Sequence, residues 1–147
     1  MRSLLRLFVT FLLLLGSLQA SETIKVASIY AHTGKAQKGH FASRMGVVLT
    51  VEHINAQGGV SGKRLELIEL DNQSTAVGSA QAAKKAVELG VSAVLGSTWS
   101  SHSFAMAQVL QEAKIPMISN FATAPKVTRV GEYVFRVCYV DRFQADL

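Results

Sequence analysis

Residues 91–119 read VSAVLGSTWSSHSFAMAQVLQEAKIPMIS, and this stretch decides the fold. Val91 to Leu95 is a short apolar run with the composition of a buried strand. Gly96 to Ser103 is a loop and the start of a helix, and Phe104 to Ala113 continues as that helix. Ile115, Met117 and Ile118 then form a second short strand. Two strands joined through a helix form a crossover unit, which places them parallel in one sheet.

Upstream, the same alternation repeats. Ile24 to Ile29 reads as a first strand, followed by a polar loop from His32 to Gly39. A helix is expected from His40 to Ala56. Phe41, Met45, Val48 and Leu49 share one face, with Val47, Val51 and Ile54 nearby, so deep packing is expected. Gln57-Gly58-Gly59 ends it, glycine being suited to a left-handed cap. After a turn at Val60 to Lys63, the residues Leu65, Leu67, Ile68 and Leu70 give a second strand that ends at Asp71. Ser74 or Thr75 can cap a second helix running to about Leu89. Its inner stripe is read as Val77, Ala80, Ala83 and Val87, with Gln81, Lys84, Lys85 and Glu88 facing water. Downstream, a polar loop spans Ser119 to Arg129, a fifth strand lies near Tyr133 to Tyr139, and Asp141 to Leu147 opens a further segment. The fold class is α/β, a doubly wound parallel sheet whose apolar strands are expected to be covered on both faces.

The chain has 147 residues, of which 49% are hydrophobic and 17% charged, a globular composition. Part of the apolar excess lies at the N-terminus. Arg2 and Arg6 precede an apolar run from Leu7 to Leu15, and Gly16 to Ala20 ends in small residues, the layout of a secretory signal peptide over residues 1–20. The run is shorter than the roughly 20 residues needed to span a bilayer. Removing it takes two arginines and lowers the formal charge from +5 to +3. The densest basic pair after it is Lys84-Lys85, a solvated helix face, so no nucleic-acid partner is expected. Cys138, the single cysteine, cannot form an internal disulfide and reads as a small buried hydrophobe in an apolar run.

Ligands of open parallel sheets bind beyond the C-terminal ends of the strands. Four segments qualify: 30–39, 71–75, 96–103 and 119–125. In the third, Ser100, Ser101 and Ser103 bring hydroxyls to a helix start. The unpaired N–H groups there attract an anion such as a carboxylate; helix capping by one serine is the plainer use of the same residues. In the fourth, Phe121, Ala122 and Thr123 offer carbonyls and a hydroxyl to an ammonium group. Enzyme signatures are missing: neither G-x-G-x-x-G nor G-x-x-x-x-G-K-[ST] occurs, and Gly96 to Ser100 is not a G-x-S-x-G elbow. His32, His40, His53 and His102 lack metal-ligand spacing, so no metal, cofactor or catalytic residue is expected.

The run from Ile54 to Lys63, Leu65-Glu66-Leu67, Asp71, Gly96 to Ser101, Ile115 to Ser119, Ala122-Thr123 and Phe135-Arg136 together resemble the first lobe of the type I periplasmic solute-binding proteins. The leucine/isoleucine/valine-binding branch of the ABC importers is the most similar. The resemblance implies a two-lobed clamshell, of which residues 21–147 would supply a truncated N-terminal ligand-binding lobe and no second lobe. It implies a periplasmic protein that captures a small amino acid, branched-chain or otherwise apolar, and docks on an ABC permease in the inner membrane. A ligand-sensing receptor domain of the same fold is the alternative. By the same resemblance, Ser100 binds the α-carboxylate, Thr123 helps hold both carboxylate and ammonium, and Phe121 offers its backbone carbonyl to the ammonium; Ser101 and Ala122 beside them are read as part of the same site. Lys38 stands where some members place a tryptophan in the side-chain pocket. A small residue is usual at the position of Phe121. Ser74 and Trp99 take the places of a cysteine pair found in some members.

Overall fold

The computed structural model describes residues 23–145, so the leader expected over residues 1–20 lies outside the described residues. Five strands form one sheet: β1 (Ile24–Tyr30), β2 (Leu65–Asp71), β3 (Ala93–Leu95), β4 (Met117–Ser119) and β5 (Val134–Arg136). Their spatial order is β2-β1-β3-β4-β5 and every pairing is parallel. The register of β1 on β2 runs from Ile24 opposite Leu65 to Tyr30 opposite Asp71. Strand order reverses between β1 and β3, so the loops leaving those two strands part and open a crevice at the C-terminal edge.

Helices α1 (Gln37–Ala56), α2 (Ala76–Glu88) and α3 (Ser100–Glu112) connect the strands, and α4 (Asp141–Ala145) follows β5. Side chains alternate across a sheet. On one face Ala27, Ile29, Val94, Met117 and Val134 pack under α2 and α3 around Met106, Ala107 and Leu110, all buried. On the other face α1 packs against β1 and β2. Between α1 and the sheet runs a groove of about 540 Å³, lined by Val26, Leu65 and Leu95 on the strands and by Val47, Val51 and Ile54 on the helix.

That groove corrects two expectations. The sheet is fully covered on one face only, and α1 is not deeply packed: Phe41 is 57% and Leu49 64% exposed, and only His40 and Val51 are buried along it. The α2 stripe is also displaced. Val77 is 69% exposed, while Gly78, Ser79, Ala82, Ala83 and Ala86 are buried. Gly78 packs on the turn that precedes its own helix, where a Cβ would stand 2.2 Å from the carbonyl oxygen of Asn72, and Ala82, Ala83 and Ala86 are the residues of α2 that enter the core. Thr75 caps α2 as expected, accepting the N–H of Gly78 at 2.8 Å. Cys138 is half-buried rather than buried, its thiol 3.6 Å from the carbonyl of Ala122.

The end of α1 is fastened to the start of β2 by one side chain. The Asn55 amide donates to the carbonyl of Leu65 at 2.9 Å and accepts the N–H of Leu65 at 2.7 Å. Gly59, at φ +79°, makes the turn between them possible, since a Cβ there would lie 2.0 Å from the carbonyl oxygen of Lys63. Among the described residues no helix is long and apolar enough to cross a membrane.

Candidate functional site

The C-terminal ends of β1, β2, β3 and β4 carry loops rich in short polar residues, and these residues bind one another. After β2, buried Asn72 donates to Ser97 Oγ at 3.3 Å, faces His102 Nδ1 at 3.3 Å and accepts the N–H of Ser74. After β3, Ser97 donates its N–H to Ser103 Oγ at 3.0 Å. The Ser97 carbonyl accepts hydroxyls from Ser103 at 2.8 Å and Ser119 at 3.1 Å. Ser103 is therefore buried in a network that fixes the loops, and its hydroxyl does not face the cleft edge. A buried polar network of this kind holds its members rigidly because an unpaired partner would be costly.

Helix α3 starts at Ser100, earlier than the sequence reading placed its regular turns. Trp99 is its N-cap and makes no side-chain cap bond, so Ser100 is not spent on capping. The first N–H groups of α3 have no helical partner and face the loop edge with the positive end of the helix dipole. Ser100 Oγ instead accepts the N–H of Ala124 at 3.2 Å, which draws the loop after β4 onto the helix start. Its hydroxyl proton is left to donate. Ser101 is exposed on the same turn.

In the loop after β4, Phe121 is exposed, Ala122 fully buried and Thr123 half-buried. The Ala122 N–H goes to Ser119 Oγ at 3.1 Å, and its carbonyl accepts from Arg136 at 2.8 Å. Arg136 also donates to the carbonyls of Ala124 at 3.1 Å and Pro125 at 3.3 Å and to Thr128 Oγ1 at 2.7 Å, which makes it the clamp of this loop. The Thr123 carbonyl accepts the N–H of Asp141. Phe121 and Thr123 both keep part of their surface in solvent. Lys38 sits exposed on the first turn of α1.

Residues that the sequence reading did not single out complete the edge. Tyr30 donates its hydroxyl to Asn120 at 3.1 Å, and the Asn120 amide donates to Ser43 of α1 at 2.8 Å. Burial raises the Tyr30 phenol to about 12, so it remains a donor. His40, Trp99 and His102 stack together at the starts of α1 and α3. Burial first, and then the neighbouring His102, lower His40 to about 4, which keeps it neutral. Asp71 closes the loop after β1. It accepts the N–H groups of His32 and Gln73 and the Thr33 hydroxyl, and these bonds outweigh burial to hold its carboxyl below the usual range. The polar residues at every strand's C-terminal end were the available signal for this network. Among the described residues no group of three or more His, Cys, Asp or Glu side chains could hold a metal ion.

The start of α3, with its unpaired N–H groups, and the loop after β4 thus meet at one edge of the sheet through the Ala124–Ser100 bond. The chain is also similar to known proteins. The sequence profile of a family described as periplasmic binding protein matches residues 23–146. A leucine-, isoleucine-, valine-, threonine- and alanine-binding protein of Pseudomonas aeruginosa is 32% identical over 126 residues, 85% of this chain and 34% of that protein. The Leu/Ile/Val-binding protein of Escherichia coli is 29% identical over 130 residues, 88% of this chain and 35% of that protein. Among solved structures, a branched-chain amino acid transporter substrate binding protein from Streptococcus pneumoniae in complex with isoleucine is similar, with a TM-score of 0.79 and 31% identity. That match covers 82% of this chain and 35% of the other. A leucine binding protein from Thermotoga maritima gives a TM-score of 0.73 and 33% identity over 83% of this chain and 34% of that one. The chain spans about a third of the length of the curated relatives it matches.

Proposed function

The chain belongs to the periplasmic binding protein family, and from that premise we propose that it forms one wall of an amino-acid site in the substrate-binding component of an ABC importer. The ligand is a small amino acid, branched-chain or otherwise apolar. Its α-carboxylate sits at the start of α3, taking the Ser100 hydroxyl and the free N–H groups of Ser100 and Ser101. Its ammonium group faces the Phe121 carbonyl and the Thr123 hydroxyl. Charge-assisted hydrogen bonds of this kind are short and strong, and they are stronger still once a cleft excludes water.

The observation that carries this reading is the bond from Ala124 to Ser100 Oγ, because it sets the two half-sites for the two ends of an amino acid side by side. The residues named act by binding alone, with no catalytic step. The relatives are about three times as long as this chain, so the opposing wall and the docking of the closed form on a membrane permease belong to the same proposal. The residues 1–20 leader directs the protein outside the inner membrane.

The test is a thermal-shift screen of the full-length gene product against the twenty amino acids. Aliphatic and other apolar amino acids are expected to raise the melting temperature, by an amount that grows with ligand concentration. A screen in which charged amino acids or sugars stabilise the protein, and apolar amino acids do not, contradicts the reading.

A further inference from the structure

Two buried imidazoles that take no part in the proposed ligand contacts meet at the starts of two helices. His40, on the first turn of α1, has no exposed surface, and His102, on the first turn of α3, keeps 3%. Their rings meet edge to face at 5.5 Å between centroids. Each ring hooks its helix to the loop after a strand. His40 Nδ1 accepts the N–H of Ala31, just after β1, at 2.9 Å. His102 Nδ1 stands 3.3 Å from the amide nitrogen of Asn72, just after β2. The orientation of that amide is set, because its oxygen accepts the N–H of Ser74 at 3.0 Å. The Asn72 nitrogen therefore donates, and His102 Nδ1 accepts.

Both rings are thus held as the neutral tautomer with the proton on Nε2. A second proton would go on Nδ1, where each ring faces an N–H group, and the bond would become a contact between two donors. His40 Nε2 is buried with no hydrogen-bond partner among the described residues, so nothing there offsets a charge on that ring. The other titratable and charged groups that face the pair are Tyr30 on β1, 6.0 Å from His40, and Lys35 in the loop after β1, whose charge acts on His102. Neither is a carboxylate that would favour an imidazolium. Burial, and after it His102, lowers His40 to about 4, and burial chiefly lowers His102.

His102 lies two residues after Ser100 in the same helical turn, and Asn72 also donates to Ser97 Oγ in the loop before that turn, at 3.3 Å. These hooks fix the backbone that carries Ser100. We propose that His40 and His102 form a proton-operated latch at the start of α3, which holds Ser100 in place while both rings are neutral and releases the ligand when they take up protons. The proposal rests on the reading that Ser100 holds the carboxylate. Unlatched rings take up protons more readily than latched ones. Ligand binding, which needs the latched form, therefore expels protons, and acid weakens it.

The experiment is calorimetric titration of the full-length gene product with leucine at pH 7.5, 6.5, 5.5 and 4.5, in the wild type, His40→Gln and His102→Asn, with circular dichroism of each ligand-free protein at each pH. Either amide side chain can accept an N–H and takes up no proton in this range. Wild-type affinity is expected to hold from pH 7.5 to 6.5 and to fall about tenfold or more by pH 4.5 with the fold retained. Each variant should show a shallower fall. Buffers of different ionisation enthalpy should reveal about one proton released per leucine bound at the acid end, a reading taken on the wild type that needs no folded variant. A flat wild-type affinity, no proton release, an equal fall in all three proteins, or loss of the fold in step with affinity overturns the latch and leaves the Ser100 reading standing. Absence of leucine binding at pH 7.5 overturns both.

Discussion

Ser100 Oγ accepts the N–H of Ala124 at 3.2 Å, which joins the first residue of α3 to the loop after β4 and makes one surface of two segments. A hydroxyl used this way has an acceptor lone pair occupied and its proton available, the state needed to donate to a carboxylate.

Ser100→Ala therefore removes a ligand bond and loosens the loop that presents Phe121 and Thr123. Loss of a hydrogen bond to a charged group costs roughly 1.5–3 kcal/mol, or about 10- to 150-fold in affinity. Isothermal titration of the full-length gene product checks this. An unchanged dissociation constant removes Ser100 from the site.

Arg136 is expected to matter for stability before it matters for binding. Its guanidinium donates to three carbonyls and one hydroxyl of the 122–128 loop, a fork that lysine cannot reproduce. Arg136→Met should destabilise the fold by about 2–4 kcal/mol, because the buried Ala122 carbonyl loses its charged partner. Arg136→Lys should recover only part of that. Urea unfolding of the three proteins reads it out, and equal midpoints for arginine and methionine would falsify the clamp.

Stability should also fall in mild acid because of His40. Its folded-state value of about 4 lies below the ordinary histidine value of 6.5, so the unfolded chain takes up the proton first. The contribution is fully present above about pH 6.5 and is lost as pH falls from there towards 4, with a ceiling of about 3 kcal/mol. His102 is lowered too, chiefly by burial, and adds in the same direction. His40→Gln keeps an acceptor for the Ala31 N–H and should flatten this part of the profile. Unfolding midpoints at pH 7, 5.5 and 4 that fall equally in both proteins contradict the assignment.

The alternation of strands and helices was legible because each strand is short and carries apolar residues between polar or glycine-containing loops, and Gly58-Gly59 marked the end of α1. Helix faces were less legible. Phe41 and Leu49 look like core by spacing, yet they face outward, because α1 covers only the β1–β2 side of the sheet. On α2 the stripe Val77, Ala80, Ala83 and Val87 followed hydrophobicity, whereas Val77 is exposed and the buried residues are Gly78, Ser79, Ala82, Ala83 and Ala86. The segments that form the candidate site could be read from the rule that ligands meet strand C-termini. The division of labour among the serines could not: Ser100, Ser101 and Ser103 look alike in sequence, and only packing assigns Ser103 to the interior network and leaves Ser100 at the edge. The edge-on contact of His40 with Trp99 and His102 joins α1 to a helix far along the chain and left no local pattern to find.

The central claim is that the start of α3 receives a carboxylate through Ser100. Its most direct test is a two-by-two titration of wild type and Ser100→Ala with the most tightly bound amino acid and with its carboxamide. The predicted result is a loss of about 100-fold or more for the amide in the wild type and a clearly smaller loss in Ser100→Ala, since the two changes remove the same interaction. Equal losses in both proteins, or an amide bound as tightly as the acid, would contradict it.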